Sequence, residues 1–326
     1  MVKRYFLIPC CFLIMLVLTS CENKDFPRIK EIESMAITVN IKDMTLSFID
    51  LHTEMNVNTW KLKNPYSGGI LFPDGDSLLL YGKQVETVDL YSLKEGKAIA
   101  SWETGKGIVN AKYLKKNNEI VFADQHQHAI RFFTLEGKET GKVKTAQNPL
   151  TLIEKKDSNE LYVISFNDEK TTIIDVEKKE KLKEFNIHSS AAGALLRKGM
   201  NEMWVGGHGV GEETETQIHV YDSLNGKLLR TISAPMMPIN FTQMHDYIFV
   251  LSHGSSTLYQ LDKDGIEQNS IKVGANPFEL KATNEQLLVA GYDSNDIHIV
   301  DSYTLEIKTA ISVGKGPFQI ILREGQ

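Results

Sequence analysis

A chain of 326 residues with a formal net charge of −6, 42% hydrophobic and 24% charged, has the composition of an ordinary globular protein. It carries no basic stripe and no Lys/Arg-rich run, which argues against a nucleic-acid partner. Its three cysteines, Cys10, Cys11 and Cys21, all lie at the N-terminus, so the rest of the chain has no disulfide, thiolate metal site or cysteine nucleophile available to it.

Residues 1–20 start basic (Lys3, Arg4) and run apolar from Phe6 to Leu18, the pattern of a secretory signal. The run is too short for a convincing membrane-spanning helix. It ends Leu18-Thr19-Ser20-Cys21, an apolar, small, small, Cys order that resembles the lipobox of bacterial lipoproteins. That resemblance implies cleavage before Cys21, acylation of Cys21 with palmitate-type chains, and a protein lipid-anchored on the extracytoplasmic side of the cell membrane. In a two-membrane host this means the periplasmic side or the outer membrane. Two or three acyl chains suffice for stable anchoring. Residues 21–33 then read as the lipidated Cys and a polar tether.

From residue 34 to 326 the chain repeats. Apolar strands ending SFID (Asp50), VDLY (before Ser92), IRFF (before Thr134), TIID (Asp175), HVYD (Asp222), LYQLD (Asp262) and HIVD (Asp301) recur at spacings of 42, 42, 41, 47, 40 and 39 residues. Each unit holds four short alternating segments parted by polar turns, which predicts an all-β, seven-bladed propeller of four-stranded blades. The recurring Asp reads as a turn residue that accepts backbone N–H bonds. The first unit has only three strands, at residues 36–39, 46–51 and 57–63. The C-terminal Gly316-Pro317-Phe318-Gln319-Ile320-Ile321-Leu322 is left without a blade. The expectation is that it completes the first blade and removes both free edges.

Leu161-Tyr162-Val163-Ile164-Ser165 followed by Thr172-Ile173-Ile174-Asp175, and Ile297-His298-Ile299-Val300-Asp301 followed by Val313-Gly314-Lys315-Gly316-Pro317, resemble the repeat of YVTN-type β-propellers. The likeness covers about residues 34–326 and is strongest in the last unit. It implies the fold; propellers host unrelated activities, so it leaves function open.

Function is sought on the face built from the loops between second and third strands and from the blade-to-blade connections. His126, His128, His208 and His253 fall in such loops, His188 in a connection, with Asp293 and also Asp124, Glu212, Glu213 and Asp296 nearby. Imidazoles with carboxylates could hold a metal or do acid–base work; the bland alternative is that polar residues collect in loops. The 47-residue unit owes its excess to Gly206-Gly207-His208-Gly209-Val210-Gly211-Glu212-Glu213-Thr214-Glu215, the expected functional insertion. No CxxCH, HExxH or GxSxG motif occurs, and none calls for a cofactor. Trp60, Trp102 and Trp204 read as packing. The whole reads as a monomeric, membrane-tethered binding scaffold for an envelope protein or a small ligand. The alternative is a propeller enzyme of the lactonase/cyclase or redox-cofactor-associated type. With no arginine in a second-to-third loop, an anionic substrate lacks its bidentate clamp.

Overall fold

The second and third strands of each repeat are largely apolar and buried, whereas the fourth is polar. In the fourth repeat Leu161–Ser165 is wholly buried, while the strand reading EKLKEFN is exposed almost throughout. A strand buried on both faces needs a neighbour on each side, and one without an apolar face belongs at the periphery. Sheets stacked face to face around a ring meet both demands. The computed structural model describes residues 25–31, 34–156, 158–166, 168–197, 199–283 and 285–323; the signal segment and Cys21 lie outside the described residues.

Thirty strands are described, and seven four-stranded antiparallel sheets form the ring, with no helix among the described residues. Blade 1 takes β1 (Met35–Asn40), β2 (Thr45–Asp50) and β3 (Met55–Lys61). Blade 2 is β4 (Gly68–Leu71), β5 (Ser77–Tyr81), β6 (Thr87–Ser92) and β7 (Lys97–Glu103). Blade 3 is β8 (Ile108–Leu114), β9 (Glu119–Asp124), β10 (Ala129–Thr134) and β11 (Glu139–Lys144). Blade 4 is β12 (Pro149–Glu154), β13 (Glu160–Ser165), β14 (Lys170–Asp175) and β15 (Glu180–Asn186). Blade 5 is β16 (Ala191–Leu196), β17 (Glu202–Gly207), β20 (Gln217–Asp222) and β21 (Leu228–Ser233), with a small extra hairpin, β18 (Gly209–Val210) and β19 (Glu213–Thr214), in its insertion. Blade 6 is β22 (Pro238–Met244), β23 (Tyr247–Ser252), β24 (Thr257–Leu261) and β25 (Glu267–Lys272). Blade 7 is β26 (Pro277–Ala282), β27 (Gln286–Gly291), β28 (Asp296–Asp301) and β29 (Ile307–Ser312). The last strand, β30 (Pro317–Arg323), pairs antiparallel with β1, Ile37 opposite Ile321, and closes blade 1 as expected.

The core is divided into seven clusters, each between two neighbouring blades. Trp60 and Leu78 share the cluster between blades 1 and 2, and Tyr162 and Tyr221 the one between blades 4 and 5. Trp60, Trp102 and Trp204 are all buried packing residues. The recurring Asp does the turn chemistry expected of it. Asp50, Asp175, Asp222, Asp262 and Asp301 each accept N–H bonds from the turn ahead, and Ser92 and Thr134 do so through their hydroxyls.

At the axis, the innermost strand carries a one-residue bulge in every blade except blade 2. Polar side chains beside these bulges link one blade to the next. Asn110 Nδ2 donates to the Leu150 carbonyl at 2.9 Å, Thr151 Oγ1 to the Ala192 carbonyl, and Gln319 Oε1 accepts the Gly69 N–H at 2.6 Å. The described part of the expected tether, residues 25–31, lies against the ring. Phe26 stacks on Trp60 at 4.7 Å, its N–H donates to the Gly96 carbonyl, and Trp60 Nε1 donates to the Pro27 carbonyl.

Candidate functional site

Antiparallel order puts the second-to-third loops and the blade-to-blade connections on one side of the ring, and the turns after Asp175, Asp222 and Asp301 on the other. All five singled-out histidines therefore share a face, but the structure does not gather them into one site. His126 is exposed. His128 holds the left-handed turn position before β10 (φ 50°); its carbonyl accepts the Thr145 N–H and its Nδ1 accepts the Asn148 N–H. Asp124 is wholly buried against Arg131, whose guanidinium also grips Glu139 and the Thr104 carbonyl. Asp293 is ion-paired to Lys42 at 2.6 Å, and that contact holds its carboxyl below the usual range. Glu212 and Glu213 are exposed, and Asp296 sits against His298 at 3.3 Å.

Two groupings do form. The first is an arc of half-buried rings crossing blades 4, 5, 6, 7 and 1. Phe166 lies 6.1 Å from His208, His208 5.7 Å from His253, His253 4.2 Å from Phe278, and Phe278 5.3 Å from Phe318 and 5.2 Å from Tyr292. Phe278 and Phe318 sit at the inner-strand bulges that follow Pro277 and Pro317, where a bulge re-aims the side chain. His253 Nδ1 lies 3.2 Å from the Pro277 carbonyl. A proton on Nδ1 satisfies that carbonyl and leaves Nε2 as an acceptor. Burial pushes the His208 and His253 imidazoles down, His208 with help from His253, so both are neutral at neutral pH.

The second grouping lies beneath the insertion of blade 5. His188, from the connection into that blade, stacks on His219 of β20 with centroids 4.0 Å apart and planes 17° apart. Glu215, at the foot of the β18–β19 hairpin, places Oε2 3.3 Å from His219 Nε2 and 3.9 Å from His188 Nε2. Its Oε1 accepts the N–H groups of Thr216 and Gln217. The Tyr221 hydroxyl accepts the His188 N–H at 2.8 Å and lies 3.4 Å from His188 Nδ1. Burial, and secondarily His219, pushes His188 down to about 3, so its ring is neutral. His188 Nε2 is buried with no hydrogen-bond partner among the described residues, a condition that costs about 1–3 kcal/mol. The three donor atoms lie within 4.8 Å of one another.

Sequence reading named His188 but missed its partners. His219 hides inside the strand HVYD, and Glu215 closes the insertion without standing out from its neighbours Glu212 and Glu213. A signal did exist. The third residue of each third strand is polar around the ring: Ser47, Asp89, Arg131, Thr172, His219, Tyr259 and His298. Residues equivalent to His188 in the other connections of equal length are Gly105, Ala146, Pro235, Gly274 and Gly314, so a histidine there is a departure.

No protein-family model matches the chain, and no curated protein sequence is significantly similar to it. Solved structures match in fold. A functionally unknown protein from Desulfotomaculum acetoxidans superposes with a TM-score of 0.73 at 11% identity, covering 90% of this chain and 99% of that one. The hydrazine synthase of Kuenenia stuttgartiensis gives 0.70 at 13% identity, covering 80% and 90%. The dihydro-heme d1 dehydrogenase NirN, solved in complex with DHE, gives 0.65 at 13% identity, covering 90% and 76%. Identities this low establish a shared fold and nothing finer: the chain is a seven-bladed β-propeller.

Proposed function

We propose that this protein is a lipid-anchored, extracytoplasmic propeller of the YVTN type that works as a monomeric binding scaffold, taking its ligand at the ring-lined part of the loop face. The observation that carries this reading is the arc from Phe166 through His208, His253 and Phe278 to Phe318. Half-buried rings present flat apolar surface at little entropic cost, and neutral imidazoles add acceptors for a polar edge. A small molecule with a planar apolar portion fits that chemistry. Anchoring rests on the Leu18-Thr19-Ser20-Cys21 pattern. The enzyme alternative draws support from two similar folds being named as a dehydrogenase and a synthase.

The binding test is a thermal-shift panel of planar small molecules, including haemin, quinones and flavins, on the detergent-extracted full chain. At least one compound is expected to raise the melting temperature of the wild type but not that of a Phe278→Ala, His253→Ala double variant. A panel without any such compound overturns the reading. Anchoring is tested separately: Cys21→Ser is expected to leave an unprocessed or released protein without radiolabelled palmitate. A correctly cleaved variant that still sediments with membranes argues against the lipid anchor.

A further inference from the structure

We propose that His188, Glu215 and His219 form a binding site for a divalent transition cation of the zinc class, assembled by the loop insertion of blade 5. The proposal stands whether or not the ring-lined arc binds a ligand. Two imidazole nitrogens and one carboxylate oxygen make a borderline donor set, suited to zinc and its transition-metal neighbours. Calcium and magnesium require oxygen-rich shells. Two ligands each about 2.0–2.1 Å from a tetrahedral ion lie about 3.4 Å apart. Glu215 Oε2 is already 3.3 Å from His219 Nε2 and 3.9 Å from His188 Nε2.

Two of the three donors are also aimed by outer partners. Backbone N–H groups of Thr216 and Gln217 occupy Glu215 Oε1 and leave Oε2 to face both rings. With its Nδ1 proton given to the Tyr221 oxygen, His188 directs an Nε2 lone pair into the group. Outer partners of this kind orient metal-binding imidazoles. Nε2 of His188 is the atom left without a partner; an ion would satisfy it. Both lone pairs must point at one ion, so the stacked rings have to fan apart.

Blades 3 and 1 supply a control; in blade 7 His298 Nδ1 is likewise buried without a partner among the described residues, but Gly274 stands where a second imidazole would be needed. Arg131 in blade 3, at the position of His219, is satisfied by Asp124, Glu139 and the Thr104 carbonyl. Ser47 in blade 1 accepts from Asn40 and from the Gly314 N–H. Those clusters are complete hydrogen-bond networks, and that of blade 5 is not. Three protein donors leave a further position on the ion for water or an outside ligand, the pattern of open rather than closed zinc sites.

The test uses the full-length chain in detergent, stripped with a chelator and titrated with Zn2+ by calorimetry, and with Co2+ by visible absorption. One ion per chain is expected. His188→Ala, His219→Ala and Glu215→Gln should each weaken binding about 100-fold or more, while His126→Ala titrates as the wild type. Zn2+ should raise the melting temperature of the wild type and of His126→Ala only. Glu215→Gln preserves the shape of the side chain, so it decides the matter should the alanine variants fail to fold. A wild type that binds no ion saturably, or a folded Glu215→Gln protein with wild-type affinity, overturns the proposal.

Discussion

Blades 5 and 7 carry the same histidine in the same place and use it differently. His219 and His298 are each the third residue of their third strand, opposite Val205 and Val289. In blade 7, His298 Nε2 pairs locally with Asp296 at 3.3 Å, and Asp296 also accepts the Ser294 hydroxyl. Ile187 and Val273 enter the two blades with the same N–H bond to the residue before the previous third strand, so Gly274 stands where blade 5 has His188. Val300 likewise stands for Tyr221. Gly274 has φ 53°, and a Cβ there would lie 2.8 Å from Gly291 Cα. The strand thus supplies a polar slot, and the segments entering and bridging the blade decide what fills it. Specialisation here combines one strand position with the loop and connection that reach it, and leaves the apolar residues on either side of that position in place.

The equivalence of the blades depends on a closed ring. Truncation after Val313 deletes β30, exposes the edge of β1 and strips Ile320 and Ile321 from two interblade clusters. The expected loss is several kcal/mol, enough to abolish a cooperative urea transition. A truncated protein melting within a few degrees of the full-length one would refute this. A smaller effect comes from forcing blade 7 to resemble blade 5. Gly274→His combines a left-handed backbone with a clash against Gly291 and should cost about 3 kcal/mol by chemical denaturation.

Blade 5 also carries a pH signature. His188 titrates far below an unfolded imidazole, so the unfolded chain binds a proton that the native one refuses. Stability is therefore full above about pH 6.5 and falls as pH drops toward about 3. His188→Asn should remove about 2 kcal/mol of the difference between urea melts at pH 7 and pH 4, with the contributions of His208 and His253 left in both proteins. Equal pH differences in the two proteins would show that the His188 ring is not held neutral. The smallest effect belongs to exposed His126, whose change to Ala should stay within about 0.5 kcal/mol.

Most of the fold was legible because the repeat writes it seven times. The turn Asp, the apolar third strand and the orphan Phe318–Leu322 each have a local cause, and a ring is the only arrangement that uses all three. The ring-lined arc was half legible. Phe278 and Phe318 each follow a proline at the same place in adjacent units, yet nothing local says that a bulge turns them toward His253. The histidine cluster was legible least. Its members come from a connection, an insertion and a strand, and Glu215 meets His188 only through the path of a hairpin whose glycines fix no direction in advance. His128 misleads in the opposite sense: its loop position makes it a candidate ligand, and its role is to hold a left-handed turn.

The pairing of β1 with β30 has a consequence for how the chain could be cut. Met35 lies opposite Arg323, so the two ends of the ring meet within a single blade, across the same gap that a short turn spans between β26 and β27. The place where translation begins is then arbitrary with respect to the architecture. A gene rewritten to join the end of β30 directly to β1, and to open instead at the turn after Asp222, encodes the same ring with every blade continuous except the fifth. Among the described residues, the segment 25–31, laid over blades 1 and 2 by Phe26, would have to find a new route.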